Sequence, residues 1–588
     1  MKEKKENPIK VLFSFVGEDK GKMTLSVILA IIGEAFGALP FLAAAMLAND
    51  VYGKAATLSR AALWAGIAAV GIILRMLLCW RSSLRSHGIA FTILKNIRRA
   101  IADKMRKVPM GIMLETPSGK FKTLMVDNVG KLEDSIAHLI PETPSQIAVP
   151  VGYIILMFIL DWRMGLASLI TLPLSFPFIM GMMKGYSEKM ATYLRSGNEM
   201  NSSLVEYIGG IQVIKAFGRS GMSYGKFSNA VRFFHDSTLD WWKQCWFWMA
   251  VVKAIIPSTM LGTLPIGALL YMNNEISLPV FIACIIIPIG FIAPLIKIAF
   301  GGEQLTLIAA NLKPIQEFLA TEEQLRPEKP VNFDGSSYVF ENVAFSYGKD
   351  KEVLHEISFE TKPNTMTALV GPSGSGKSTI AKLMAGFWDA SGGTVSFGGH
   401  DIKSIPFNQL MNEISYVAQD NFLFDKSIRD NIRMGKPDAN DTEVEAAAKA
   451  ANCHDFIMTL ENGYATLAGD AGDRLSGGER QRITIARAML KKSSVVILDE
   501  ATAYADPESE ALIQQAVSRL VKGKTLIVVA HRLSTIQNAQ QILVIENGRI
   551  AGRGTQNELL SSCQLYKTMW EQHIQAADYS EKRSGAIC

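Results

Sequence analysis

Gly371-Pro372-Ser373-Gly374-Ser375-Gly376-Lys377-Ser378-Thr379 follows a β-rich run, Met366 to Val370, and leads straight into the helix-like IAKLMAG. The stretch matches G-x-x-x-x-G-K-[ST] in the strand-loop-helix setting that a phosphate loop requires. Its glycines let backbone N–H groups curl around phosphate oxygens, and the helix that follows adds the positive end of its dipole. Residues Gly371 and Ser373 to Thr379, namely Ser373, Gly374, Ser375, Gly376, Lys377, Ser378 and Thr379, are therefore expected to cradle a nucleotide. Lys377 reaches the β/γ-phosphates and the Ser378 hydroxyl ligates Mg²⁺.

Working outward, a second β-rich run, Val495 to Leu498, ends in Asp499-Glu500. That puts two carboxylates at the C-terminal end of a strand, the edge at which an α/β sheet binds ligands. Asp499 is expected to hold Mg²⁺, directly or through water, and Glu500 to polarise the attacking water as general base. Further runs at Thr525 to Val529 and Ile542 to Ile545 alternate with helical stretches, so residues 338–575 read as an α/β domain with a mainly parallel sheet.

Just upstream of Asp499 stands Leu475-Ser476-Gly477-Gly478-Glu479-Arg480-Gln481-Arg482, opening the helix-like ITIARAML. A serine hydroxyl and exposed glycine N–H groups at a helix N-terminus suit a γ-phosphate. In this spacing the chain resembles the ATP-binding cassette (ABC) family, whose signature motif this run matches. The resemblance implies ATP and Mg²⁺ as ligands, with Ser476, Gly477 and Gly478 among the nucleotide contacts. It also implies that Tyr347 in VAFSYGKD stacks on adenine and that Gln419 in SYVAQDNFLF contacts Mg²⁺ and relays nucleotide state. His531 in VVAHRLSTI corresponds to the switch histidine at the γ-phosphate, and Asp506 in ATAYADPESE to an aspartate that communicates across a dimer. Two stretches depart from the family pattern. Ala503-Tyr504-Ala505 precedes Asp506 where S-A-L is usual, and Gly469-Asp470-Ala471-Gly472-Asp473 stands where exporters usually carry G-E-x-G.

The N-terminal half has a different composition. Over 588 residues, 48% are hydrophobic and 20% charged, with a mean hydropathy of +0.17, too apolar for an ordinary soluble chain. A length of 588 also exceeds what one core sustains, so at least two domains are expected. Six apolar runs, near 23–47, 61–80, 145–160, 164–183, 246–271 and 278–300, each approach the ~20 residues that cross a bilayer. Basic residues between the second and third runs, Arg81, Arg85, Lys95, Arg98, Arg99, Lys104, Arg106 and Lys107, orient that side to the cytoplasm. The expected organisation is multidomain: an all-α six-helix transmembrane domain with long cytoplasmic helical extensions over 1–322, a linker over 323–337, the α/β P-loop ATPase domain over 338–575 and a flexible tail over 576–588. A multi-pass protein of the cytoplasmic membrane is implied, with the lipid bilayer as a partner. The net charge of +5 gives no reason to expect nucleic acid. Six cysteines without a C-x-x-C pair indicate neither a disulfide framework nor a zinc site.

Six spans followed by one cassette is the layout of an exporter-fold half-transporter, and in the family ATP is sandwiched between two such chains. A second half-transporter chain is therefore implied, in a homodimer or a heterodimer, with segments near 115–130 and 205–218 passing motion to the spans. For a small-molecule cargo, ionisable groups in or near spans, Glu34, Arg75, Lys253 and Lys297, are candidates, with snorkelling or mutual pairing as the alternative. The cluster Trp241, Trp242, Trp246, Phe247 and Trp248 fits either a binding surface or an interfacial belt. The run Ala505-Asp506-Pro507-Glu508 and the text CHDFIMTLENGY resemble transporters that import iron-siderophores as heterodimers, whereas a drug-like, lipid or peptide cargo is the broader family expectation. A nucleotide-gated channel or regulator, the competing class, predicts a missing general base, and Glu500 is present.

Overall fold

The computed structural model describes residues 8–217, 220–300, 302–347, 352–418, 421–499, 507–530 and 533–573. The chain divides into two compact units, one comprising residues 1–103 and 118–320, the other residues 104–117 and 321–588.

The first unit is helical. Among the described residues, six helical stretches are long and apolar enough to cross a membrane: Lys20–Tyr52, Leu58–Lys107, Ser118–Leu160, Trp162–Met183, Gly225–Met272 and Leu278–Ile298. The helix Leu58–Lys107 has 50 residues. At 1.5 Å per residue it is about 75 Å long, well over the ~30 Å of a hydrocarbon core, so much of it lies outside one. In that outer part Ile89, Ile93, Ile97 and Ile101 repeat every four residues and are buried, the stripe of an ordinary packed helix. Pro141, Pro144 and Pro150 do not break the helix Leu132–Leu160. Inside a bundle, neighbouring groups can compensate the hydrogen bonds a proline removes. The tight turn between the third and fourth spans is held by Asp161, whose side chain accepts from the N–H groups of Arg163 (2.9 Å) and Met164 (3.2 Å) and caps the next helix.

Small residues let these helices approach closely. A Cβ on Gly262 would run into the Ala167 carbonyl, and one on Gly33 would press on Cys79. Ser26 and Ser82 exchange hydrogen bonds to each other's carbonyls at 2.9 and 2.7 Å. Close backbones and interhelical hydroxyl bonds are the means by which helices associate where apolar burial alone gives no preference for protein over lipid.

The second unit is built on two sheets. Its strands are β1 (Tyr338–Ser346), β2 (Glu352–Glu360), β3 (Met366–Val370), β4 (Gly392–Phe397), β5 (His400–Asp401), β6 (Ile414–Val417), β7 (Val495–Asp499), β8 (Thr525–Val529), β9 (Gln541–Glu546) and β10 (Arg549–Gly554). The larger sheet runs β10-β9-β3-β8-β7-β6. All its pairings are parallel except β9 with β10. β3 and β7 are nearly unbroken buried runs, as expected for strands covered on both faces. The smaller, antiparallel sheet runs β2-β1-β4-β5 and packs its Phe340, Phe345, Phe359 and Phe397 into the core beneath β3.

Residues 321–337 have neither helix nor strand, yet they are tied to the sheets. Arg326 pairs with Asp389 at 2.6 Å, and Gln409 bonds both the N–H and the C=O of Val331. The segment 104–117 belongs to the same unit. Its short helix Met110–Glu115 donates from the Gly111 N–H to the Phe387 carbonyl at 2.9 Å, while Lys382 reaches Glu115 at 3.3 Å. A Cβ on Gly111 would collide with the Trp388 indole, so the helix packs directly against that ring.

Candidate functional site

Where β3 ends, the chain turns three times through left-handed glycine conformations: Gly371 at φ +148°, Gly374 at +78° and Gly376 at +106°. At Gly371 the backbone comes so close to the Ile545 carbonyl that a Cβ would not fit. The loop is pinned from outside by the Gly548 N–H on the Ser375 carbonyl at 3.1 Å. It closes on the helix Lys377–Met384, whose first N–H groups have no partner within the helix and point at the loop's concave side. The Lys377 ammonium donates to the carbonyls of Gly371 (3.0 Å) and Pro372 (2.8 Å), so its charge is held over the loop. The Ser375 hydroxyl is buried without a hydrogen-bond partner among the described residues. A buried donor of this kind is costly unless something accepts from it, and phosphate oxygens in the cradle would.

Next to the loop, the Ser378 hydroxyl donates to Asp499 Oδ1 at 3.1 Å. The second oxygen of the same carboxylate accepts from the Tyr416 hydroxyl at 2.8 Å. Parallel pairing of β6 with β7 and of β7 with β8 sets these positions, since it aligns the strand ends and leaves Asp499 at the C-terminal edge. Burial first, and the adjacent Asp499 carboxylate second, push the Tyr416 phenol well above the usual tyrosine range, so it remains a donor at any ordinary pH. A hydroxyl and a carboxylate oxygen side by side are hard donors suited to Mg²⁺, so the residues fit the ion.

Tyr347 lies against the phosphate-loop helix, its hydroxyl 2.9 Å from the Thr379 hydroxyl. Its ring packs edge-on against Phe345 and Trp388 and is 37% exposed, which leaves surface for a base to stack on. Ser476 is the N-cap of the helix Gly477–Lys491 in a reciprocal box with Glu479: the Glu479 N–H donates to the serine hydroxyl at 3.3 Å, and the Ser476 N–H donates to the Glu479 carboxylate at 2.8 Å. Ser476 and Gly477 are exposed, so this helix end is open to a ligand. The helix is anchored from behind by Arg487, whose Nε donates to the Asn431 carbonyl at 2.9 Å, and by Arg482 over the Phe456 ring at 5.1 Å.

Glu500, His531, Gln419 and Asp506 lie outside the described residues, as does the Ala503-Tyr504-Ala505 run. Two parts of the region were not anticipated from sequence: Tyr416, which fixes Asp499, and the helix Met110–Glu115. Tyr416 stands three residues before Gln419 in a strand that pairs with β7, and that adjacency is the only signal the sequence carries for it.

In the helical unit, Glu34 pairs with Arg75 at 2.9 Å and Lys297 with Glu142 at 3.2 Å. The tryptophan cluster divides. Trp241 packs against Tyr186 and Tyr193, and Trp248 against Phe178, while Trp242, Trp246 and Phe247 are exposed.

A family model described as ABC transporter transmembrane region matches residues 23–295, and one described as ABC transporter matches residues 354–503. The mycobactin import ATP-binding/permease protein IrtA of Mycolicibacterium smegmatis is 35% identical over 490 residues, covering 82% of this chain and 56% of that protein. The chain thus spans little more than half the length of that relative. An ATP-dependent lipid A-core flippase of Saccharophagus degradans is 32% identical over 487 residues, covering 82% of each chain. Among solved structures, a bacterial Atm1-family ABC exporter with ATP bound superposes with a TM-score of 0.79 at 24% identity, covering 94% of this chain and 98% of that one.

Proposed function

The chain belongs to the ABC transporter family, and on that premise we propose that it is one half of an ATP-driven transporter that moves a small amphipathic molecule by alternating access. As a member of the family it is a multi-pass membrane protein with its ATPase domain in the cytoplasm. One observation carries the reading: a single chain joins, among the described residues, six membrane-length helical stretches to a formed phosphate loop with Ser378 and Asp499 in contact beside it.

In this reading the loop from Gly371 to Thr379 and the open end of the helix Gly477–Lys491 are two halves of a nucleotide site, and the halves come from different chains. Lys377 and the loop N–H groups neutralise the β/γ-phosphates, while Ser476 with Gly477 and Gly478 grips the γ-phosphate of ATP held by the partner chain. Ser378 and Asp499, with Gln419, would hold Mg²⁺, which would supply charge neutralisation at the phosphates. Glu500 takes the proton of the attacking water, and His531 contacts the γ-phosphate. ATP prefers the closed pair of cassettes, so binding and hydrolysis shift the population between two states of the membrane domains. A second reading is import of an iron-siderophore by a heterodimer; the mycobactin-import relative favours the import and is silent on the pairing.

The test is ATP binding and hydrolysis by the full chain reconstituted in lipid, compared with Lys377→Ala. Binding by the wild type and its loss in the variant are expected. Hydrolysis by the chain alone supports a homodimer, whereas a folded chain that binds ATP without turning it over supports an obligate second chain. A folded wild type that fails to bind ATP contradicts the proposal.

A further inference from the structure

Four helices of the membrane unit, Lys20–Phe36, Leu58–Lys107, Leu132–Leu160 and Ile292–Phe300, enclose a cavity of about 230 Å³. Its lining sets ionisable side chains among apolar ones such as Ala30, Ala137 and Pro294. Glu34 and Arg75 form one pair at 2.9 Å, Glu142 and Lys297 another at 3.2 Å. His138 Nδ1 lies 2.7 Å from Glu142 Oε1, and the Gln146 amide donates to Glu142 Oε2 at 3.2 Å. Charges in membrane helices are costly and mark a pathway or a ligand site by default.

Two features narrow what such a site takes. All four side chains line the cavity, and Arg75 (52% exposed) and Lys297 (60%) are more exposed than their acidic partners (31% and 38%). Pairs this open are individually weak and can exchange a partner for a ligand atom. A ligand with one charge would take one partner and leave the other without a counter-charge, whereas a ligand carrying both signs satisfies both. The volume also lies below the ~300 to 1,000 Å³ of pockets that enclose a whole drug-sized molecule, so the cavity accepts a head group.

We propose that this cavity is a recognition site for the zwitterionic head group of a small molecule, with Arg75 and Lys297 taking its anionic group and Glu34 and Glu142 its cationic group. The assignment names the cargo class of the transport reading and rests on it. It requires that selectivity follow the cavity charges one by one.

Three fluorescent probes that share a dansyl reporter separate the cases: Nε-dansyl-lysine carries both charges, dansylcadaverine only the positive one, and dansylglycine only the negative one. Binding is read by fluorescence anisotropy on the full chain in lipid nanodiscs without nucleotide. The zwitterion is expected to bind about tenfold more tightly than either singly charged probe. Arg75→Gln should turn the preference toward dansylcadaverine, because Glu34 loses its cation, and Glu142→Gln should turn it toward dansylglycine. A gain of preference cannot arise from misfolding. Equal binding of all three probes by the wild type, or variants that weaken all three alike, would overturn the proposal. ATP hydrolysis measured on the same nanodiscs tests the transport reading separately, so the failure of one is distinguishable from the failure of the other.

Discussion

Asp499 in the sheet-built unit and Glu34 in the helical unit are carboxylates at the two proposed sites, and their surroundings differ in kind. Asp499 ends a buried strand and has both oxygens engaged by hydroxyls, Ser378 on one side and Tyr416 on the other. Glu34 stands in a helix and pairs directly with Arg75 of another helix, itself more than half exposed, in the wall of a cavity. The first arrangement is preorganised: neutral donors fix the carboxylate without cancelling its charge, which stays available for a cation. The second is provisional, since an open ion pair can be exchanged for a ligand. A unit that performs the same chemistry in each cycle gains from the first, and a unit that must take up and release a cargo gains from the second.

Substitutions that break this contrast should differ in size and in what they affect. Asp499→Asn removes the charge from the preorganised site and should raise the Mg²⁺ concentration required for ATP turnover by about 100-fold, read from a Mg²⁺ titration of hydrolysis. Gly262→Ala tests the close helix contact in the membrane unit. Its Cβ would meet the Ala167 carbonyl, and a loss of about 2 kcal/mol is expected, measured by denaturation in detergent. Tyr416→Phe leaves the Asp499 charge and removes one donor, so the Mg²⁺ requirement should rise about tenfold with ATP affinity little changed. An equal loss in both would show Tyr416 acting through the fold and not through the carboxylate. The smallest effect is expected for Ser82→Ala, about 0.6 kcal/mol from the hydroxyl exchange with Ser26, with turnover unaltered.

What could be read in advance follows the same division. The phosphate loop and the parallel strands beneath it were legible because the determinants of each are contiguous: a glycine pattern, an apolar run, an acid at its end. The antiparallel sheet was not, because register shifts at Phe340, Val343 and Phe345 interrupt the pairing of β1 with β2 and blur the alternation that marks a strand. The helix Met110–Glu115 has six residues, too few to show a helical period, and what identifies it is contact with Phe387 and Trp388, far along the chain. In the membrane unit the six spans were legible from composition. Glu34, Arg75 and Lys297 stood out as charges in apolar runs, but that Glu34 meets Arg75 and Lys297 meets Glu142 depends on helices 41 and 155 residues apart. Glu142 sits between Pro141 and Pro144, and nothing in the local sequence marks it as a partner of Lys297.

Glu500, beside Asp499, bears most directly on the claim that the chain is an ATP-hydrolysing half of a transporter. The decisive measurement is steady-state ATP hydrolysis by the full chain in lipid, together with whichever second chain it requires, wild type against Glu500→Gln, with ATP binding measured in parallel. Loss of the general base should lower turnover by about 10² to 10⁴-fold while binding is retained. Turnover that survives the substitution undiminished would contradict the account.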